Sequence, residues 1–165
     1  MPTRLSPSSQ KVQDILRELG YPFTVLESET HTRTAQEAAD LVGCELGQIV
    51  KSLIFRGAQS GKPILVLTSG TNRVDESRIS QYAAESIARA DPEFVRMVTG
   101  FAIGGVPPVG HNQPMETYLD EDLLQHQSIW AAGGTPNSLF ELTPAALQEM
   151  TGGKVAAVRV ELPQH

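Results

Sequence analysis

The segment from Thr99 to His111 most constrains the fold of this chain, because it suits neither a helix nor the interior of a sheet. It holds four glycines and two prolines in thirteen residues. Glycine permits positive φ and a close approach of the backbone to another group, whereas proline fixes φ and has no N–H donor. The segment therefore predicts a stiff loop with selected free backbone N–H groups, which could hold a carbonyl or an oxyanion. A tight connection between two buried elements has the same composition.

The rest of the chain has the composition of a globular domain. With 165 residues, 40% of them hydrophobic, it can bury a substantial core, and we expect residues 1–165 to form a single domain. No apolar run approaches the roughly 20 residues that span a bilayer. Residues 1–10 lack the apolar core of a signal peptide, so we expect a cytoplasmic protein with no membrane partner.

The charge balance is acidic, with a net charge of −6. This balance argues against a protein that coats nucleic acid non-specifically, because neutralising phosphates needs clustered cations. A small basic site remains compatible with it. The cations considered for such a patch beside Lys51 are Arg56, Lys62, Arg73, Arg78 and Arg96.

Hydrophobic periodicity and helix-capping residues predict a mixture of short helices and strands. We predict helices just after six capping residues, namely Ser6, Thr34, Asp75, Asp91, Asp120 and Thr143. We predict strands over 21–26, 49–55, 64–68, 115–119, 128–132, 139–142 and 155–160. Because the strands outnumber the helices and do not alternate regularly with them, the expected class is α+β rather than a doubly wound sheet.

Lys51 is the most informative single residue, because it interrupts a strand whose two apolar faces predict a central place in a sheet. A lysine there is costly to desolvate unless its ammonium reaches solvent or an anion. It either extends to solvent from a sheet edge or holds a phosphate or carboxylate at a pocket wall. In the second interpretation, Gly104 to Gly110 supply the polar floor of the pocket. His111 is then an acid, a base or a polar anchor, or else a solvent-facing loop histidine.

Other reactive side chains give no further site. Cys44 has no histidine at a telling spacing, and a lone cysteine forms neither an internal disulfide nor a cysteine-based zinc site. The separated His31, His126 and His165 lack metal-ligand spacing, and no dinucleotide or P-loop motif is present, so no metal or cofactor is expected. The pair Gly133–Gly134 indicates a hairpin turn or, alternatively, a close approach of a ligand to the strand end.

Several of these features together resemble the YbaK and prolyl-tRNA synthetase-associated family of aminoacyl-tRNA editing domains. The first is the strand Ile-Val-Lys-Ser-Leu-Ile-Phe that carries Lys51. The second is the glycine-proline loop, in which Gly104 to Pro108 fits the family's G-x-x-x-P pattern. Thr117 to Asp120 and Ala132 to Gly134 extend the resemblance over nearly the whole chain.

The resemblance implies a fold, a reaction and a set of catalytic residues. The implied fold is an α+β domain with a curved, barrel-like mixed sheet surrounded by helices. The implied reaction is hydrolysis of the ester between a wrong amino acid and the 3′ end of a tRNA, with tRNA(Pro) carrying Cys, Ala, Ser or Thr as the expected substrate. The implied catalytic residues are Lys51, at the terminal phosphate or ribose, and the carbonyl-cradling Gly104, Gly105, Val106, Pro107 and Pro108.

The resemblance also leads us to expect residues that contact the substrate. These are His31, Thr34, Ser69, Gly110, His111 and Gly133. The family needs no metal, cofactor or protein nucleophile, because an aminoacyl ester is already activated and positioning with carbonyl polarisation can supply the catalysis. The attacking group is water, the tRNA 2′-hydroxyl or a substrate side chain, and an aminoacyl-tRNA synthetase is a further partner considered.

Two other functions are compatible with these residues. One is a non-catalytic module of the same fold that binds aminoacyl-tRNA or a synthetase, since a fold does not fix a function. The other is an unrelated α+β hydrolase that uses His111 with a carboxylate.

Overall fold

The computed structural model describes residues 4–30, 32 and 34–161. Its helices are α1 (Pro7–Glu18), α2 (Ala35–Val42), α3 (Glu76–Ala83), α4 (Pro92–Thr99) and α5 (Pro144–Thr151). Its strands are β1 (Val25–Glu27), β2 (Val50–Gly57), β3 (Pro63–Ser69), β4 (Ile87–Arg89), β5 (Glu116–Asp120), β6 (Ile129–Ala132), β7 (Ser138–Leu142) and β8 (Lys154–Ala156). Two short 3₁₀ helices cover Leu46–Gln48 and Glu121–Gln125. No helix within the described ranges combines the length and the apolar character needed to cross a bilayer.

The strands form two sheets. One is antiparallel, with the order β1-β7-β6, and the other is mixed, with the order β4-β2-β3-β5-β8 and parallel pairs at β3–β5 and β5–β8. The expected α+β class is confirmed. The expected barrel-like sheet is wrong, because the strands of the described residues form two open sheets and no ladder closes them into a barrel. Among the described residues, one isolated parallel bridge, between Ile49 and Trp130, links the two sheets.

The predicted capping residues explain where most helices begin. Five of the six predicted capping side chains accept a backbone N–H of the first turn, namely Thr34, Asp75, Asp91, Asp120 and Thr143. Ser6 differs, because its hydroxyl makes no cap bond and its own N–H donates to Glu27 Oε1 at 2.7 Å. The start of α1 is therefore tied to the end of β1.

Strand β2 lies between β3 and β4, as its two apolar faces predict. Val50 and Ile54 belong to the main core, which also receives residues of α1, α4 and α5. Phe55, from the opposite face, packs in a second core with residues of α3. Because both faces of the strand are packed, Lys51 and Ser52 near its start are held in defined positions.

Candidate functional site

A cavity of about 280 Å³ lies between the start of β2 and the glycine-proline loop. Strand β2 and the residue before it contribute 49–53, and the loop contributes Ile103, Gly104 and Val106. The remaining walls come from the beginning of α2, from Thr32 and from the β6–β7 hairpin. Lys51 and part of the loop thus line one cavity, as expected from the sequence.

The ammonium of Lys51 is half-buried and has one acceptor. Its Nζ donates to the backbone carbonyl oxygen of Asn72 at 2.9 Å. Burial and the charge of Arg89 lower the pKa of Lys51, and the charge of Asp120 opposes them. Within the described residues no carboxylate lies within salt-bridge distance of Lys51. A partly desolvated cation with unused donors favours an anionic or strongly polar ligand beside it.

The carbonyl that accepts from Lys51 is anchored by a buried carboxylate. Asn72 Nδ2 donates to Asp120 Oδ2 at 2.8 Å. The same oxygen accepts from Thr68 Oγ1 and from the Ser69 N–H, each at 3.0 Å. The sequence indicates Asp120 only as a helix cap. In the structure it also holds the turn that contains Ser69 and Asn72, and the Asn72 carbonyl in this turn accepts from Lys51.

The loop offers two backbone donors at the cavity wall. Gly104 has a φ of 91°, a value that favours glycine. The Gly105 N–H donates to the Ala102 carbonyl at 3.0 Å and closes a turn. The N–H groups of Gly104 and Val106 hydrogen-bond to no atom of the residues that the structure describes. Such donors, in a cavity that Lys51 also lines, can polarise a carbonyl or stabilise an oxyanion.

Gly105 has a packing role instead of a place in the cavity lining. A Cβ at this position would lie 2.7 Å from Thr135 Cα, so the loop rests directly on the backbone of the β6–β7 turn. That turn in turn rests on α1, because a Cβ at Gly134 would lie 2.6 Å from the Ser8 carbonyl oxygen. The two glycines therefore set the distance of the loop from the rest of the fold.

Pro107 and Pro108 are buried and lie outside the cavity lining. The Pro107 carbonyl accepts a hydrogen bond from His111 Nε2 at 2.6 Å, so this ring nitrogen carries a proton. Burial lowers the pKa of His111, the bond to Pro107 opposes this and the charge of Lys11 adds to it. No carboxylate of the described residues hydrogen-bonds to the ring. The alternative hypothesis of a hydrolase that uses His111 with a carboxylate therefore has no carboxylate partner for His111 among the described residues.

The other predicted contact residues near β2 and α2 divide between two places. Thr34 lines the cavity while its Oγ1 caps α2. Ser69 is not part of the cavity lining, and its Oγ donates to the Gly47 carbonyl at 2.7 Å. It lines a neighbouring cleft of about 400 Å³ with His126 and Arg159. His31 lies outside the described residues.

Gly110 and Gly133 also lie outside the cavity lining. A Cβ at Gly110 would lie 2.5 Å from Ile15 Cδ1 of α1, and a Cβ at Gly133 would lie 2.8 Å from Val25 Cγ1 of β1. Both glycines therefore allow close packing of the chain against itself. Gly133 belongs to the turn of the predicted hairpin, since its N–H donates to the Ser138 carbonyl at 2.9 Å.

Only part of the proposed basic patch is unpaired. Lys62 pairs with Glu116 at 3.1 Å, and Arg78 pairs with Glu161 at 2.9 Å. Arg56 lies instead over the Phe94 ring, 4.7 Å from its centroid.

A groove of about 460 Å³ contains two exposed arginines. Arg56 and Arg89 line it, and neither forms a salt bridge within the described ranges. One acidic residue, Asp91, also lines this groove, and its Oδ1 accepts the Phe94 N–H at 2.8 Å. The groove therefore has more positive than negative charge, in a chain whose net charge is −6.

The remaining reactive groups form no centre of their own. Burial raises the pKa of the Cys44 thiol, which disfavours the nucleophilic thiolate. No three His, Cys, Asp or Glu side chains in the described part of the chain cluster so as to hold a metal ion.

Known proteins share this fold and much of this sequence. The model of the aminoacyl-tRNA editing domain family matches residues 29–150. The uncharacterized protein YwhH of Bacillus subtilis is 37% identical over 131 residues, which cover 79% of this chain and 83% of that protein. EbsC of Enterococcus faecalis, named as a candidate Cys-tRNA(Pro)/Cys-tRNA(Cys) deacylase, is 27% identical over 132 residues, 79% of each chain.

A crystal structure gives the same result at the level of the fold. It is that of a candidate trans-editing enzyme for prolyl tRNA synthetase, which superposes with a TM-score of 0.91 at 50% identity. The match covers 96% of this chain and 100% of that one. The chain therefore belongs to the aminoacyl-tRNA editing domain family, as the strand with Lys51 and the loop from Gly104 to Pro108 indicate.

Proposed function

We propose that this protein is a trans-editing deacylase, which hydrolyses the ester between a wrong amino acid and the 3′ end of a tRNA. The observation that carries the proposal is the cavity lined by Lys51, Gly104 and Val106. It combines a half-buried ammonium with two unpartnered backbone donors. Family membership supports an aminoacyl ester as the substrate, and the names of the relatives support tRNA(Pro) as the carrier.

The backbone donors act on the acyl carbonyl. A nucleophile adds to the carbonyl carbon, the bond from this carbon to the ribose oxygen breaks, and the ribose oxygen takes up a proton. Negative charge grows on the carbonyl oxygen before that bond breaks. Donation from the Gly104 and Val106 N–H groups then stabilises the transition state more than the ground state. Losing one donor of this kind costs about 10²- to 10³-fold in rate.

Lys51 acts on the RNA side of the ester. We assign its unused ammonium donors to the terminal phosphate or ribose, so that the acyl group is held against the loop. Positioning of this kind is effective because the ester is already activated and needs correct placement more than a strong protein nucleophile.

The groove with Arg56 and Arg89 supports a tRNA partner despite the acidic net charge. Both arginines are exposed and unpaired among the described residues. Arg89 pairs with Phe55 on β2, the strand that also carries Lys51. We assign the groove to phosphates of the tRNA next to its acylated end.

A charged-tRNA panel tests the proposal. Ala-, Cys-, Ser- and Thr-tRNA(Pro) are incubated with the wild type, with Lys51→Ala and with the control Lys154→Ala, whose lysine is exposed on β8. We expect release of at least one amino acid, a loss of about tenfold or more in kcat/KM in Lys51→Ala, and no loss in the control. Binding of charged tRNA without release of any amino acid would refute the proposed deacylase activity and would fit the non-catalytic binding module. Full activity of Lys51→Ala would refute the role of the lysine.

A further inference from the structure

The loop that supplies the two free backbone donors is itself held by very few hydrogen bonds. With the other described residues, 106–110 make one hydrogen bond, in which the Pro107 carbonyl oxygen accepts from His111 Nε2 at 2.6 Å. Because Pro107 and Pro108 have no N–H to donate, the segment cannot be tied down through their nitrogens. The bond from His111 is therefore the one directional contact of this segment among the described residues.

Packing holds the loop in place without fixing the direction of its N–H groups. Val106 and Val109 are buried in the main core, and Gly105 rests on the backbone of the β6–β7 turn. Hydrophobic contacts are not directional, whereas a hydrogen bond constrains the orientation of both its donor and its acceptor. The loop therefore depends on the His111 bond for the orientation of its peptide groups more than for its burial.

The anchored carbonyl is stiffly connected to the Val106 N–H. Proline fixes φ at Pro107, and a residue before a proline is restricted to extended conformations. This second restriction applies to Val106 and also to Pro107, because Pro108 follows it. A displacement of the Pro107 carbonyl is therefore passed on to the Val106 N–H, and a bond that fixes the carbonyl also fixes that donor.

His111 is not among the residues that line the cavity, although the family resemblance implies that it contacts the substrate. We propose that His111 is a positioning residue of the deacylation, whose Nε2–H holds the Pro107 carbonyl and thereby aims the loop N–H groups at the acyl oxygen. This inference rests on the proposed function. Because those donors act most strongly in the transition state, loss of the anchor should lower kcat and leave KM nearly unchanged.

Two amide side chains at position 111 separate the anchoring bond from the chemistry of the ring. His111→Gln keeps an N–H donor at about the reach of Nε2, whereas His111→Asn is one methylene shorter and loses the bond to Pro107. The matched control is Asn112→Ala, which removes the neighbouring side-chain donor to a backbone carbonyl. That bond joins Asn112 Nδ2 to the Met97 oxygen of α4 at 3.1 Å and does not hold the loop. Single-turnover deacylation at increasing enzyme concentrations gives the maximal rate and the half-saturating concentration of each variant.

We expect His111→Asn to lose about tenfold or more in the maximal rate, with a half-saturating concentration within about threefold of the wild-type value. His111→Gln should recover most of that rate, and Asn112→Ala should keep the wild-type rate. A wild-type rate in His111→Asn would overturn the proposal. An equal loss in both His111 variants would overturn it as well, because the imidazole itself would then be required as an acid or a base.

Nuclear magnetic resonance tests the anchor separately from catalysis. In the wild type, the ring nitrogen shifts of His111 should show a proton on Nε2, a measurement that needs no variant to fold. The backbone amide signals of Gly104 and Val106 should shift or broaden in His111→Asn and return in His111→Gln.

The two measurements distinguish failure of this inference from failure of the proposed function. If no charged tRNA is hydrolysed but the amide signals respond as expected, the proposed function fails and the anchoring of the loop stands. If hydrolysis occurs and these signals are unchanged in His111→Asn, or the ring proton lies only on Nδ1, the positioning role is overturned and the function stands. Unchanged amide signals without hydrolysis overturn both.

Discussion

Replacing Gly105 by alanine tests whether the close packing of the loop against the β6–β7 hairpin determines the geometry of the cavity. The added Cβ would lie 2.7 Å from Thr135 Cα and 2.8 Å from its carbonyl carbon. Ordinary van der Waals contact begins at 3.4 Å, so the loop or the turn must move by about 0.7 Å, which is 3.4 minus 2.7. Because the contact is with backbone, no change of side-chain rotamer can absorb this movement.

The structure sets the size of the expected effect. Overpacking of this kind costs about 1–3 kcal/mol in the free energy of unfolding. The same movement displaces the adjacent N–H groups of Gly104 and Val106, and a misplacement of about 1 Å can cost about 10²-fold in rate. We therefore expect Gly105→Ala to fold with that loss of stability and to lose about tenfold or more in the deacylation kcat.

Gly152→Ala is the matched control. Gly152 has a φ of 64° with open space around it, so alanine there costs about 1–2 kcal/mol through the backbone alone. Urea unfolding gives the stability of each variant, and single-turnover deacylation well below both unfolding midpoints gives the rate. Only Gly105→Ala should lose rate. Wild-type kcat in Gly105→Ala, or an equal loss in both variants, would refute the reasoning.

Three further predictions concern the supports of the site. Burial lowers the pKa of His111, so the folded protein binds fewer protons than the unfolded chain. Stability should therefore fall as pH drops below about 6.5, and His111→Gln should flatten this dependence in urea titrations between about pH 7 and pH 5. A wild-type slope in the variant would contradict this. Asp120→Ala removes the buried acceptor of Thr68 Oγ1, of the Ser69 N–H and of Asn72 Nδ2, which also donates to Asp122. We expect it to lower the free energy of unfolding by about 2–4 kcal/mol, and a thermal or urea midpoint at the wild-type value would contradict this role of Asp120. The double variant Arg56→Ala/Arg89→Ala should weaken tRNA binding and reduce the slope of log Kd against log salt by about one to two, whereas an unchanged slope would remove the groove from the tRNA interface.

Local signals account for most of the fold. The helix after Thr34 ends at Gly43 in the left-handed conformation, as a capping box and a terminal glycine predict. Strand β4 (Ile87–Arg89) was not predicted, because three residues carry no periodicity and the strand exists through its pairing with β2. The division into two sheets is likewise set by long-range pairing, which local patterns do not encode.

The candidate site was predicted in part. Lys51 is conspicuous because a charge in an apolar strand needs an explanation. Asn72 gives no such signal, since its contribution is a backbone carbonyl that every residue has. Glycines such as Gly105 indicate a close approach, but only the structure identifies the neighbour as the chain's own backbone.

The most direct test is a crystal structure with a hydrolysis-resistant aminoacyl-adenosine analogue bound. The account predicts the analogue in the cavity beside Lys51, with its acyl oxygen about 2.7–3.1 Å from the Gly104 or Val106 nitrogen. The Lys51 ammonium should contact the ribose of the analogue. An analogue bound in the cleft lined by His126 and Arg159, or one with its carbonyl turned away from the loop, would contradict it.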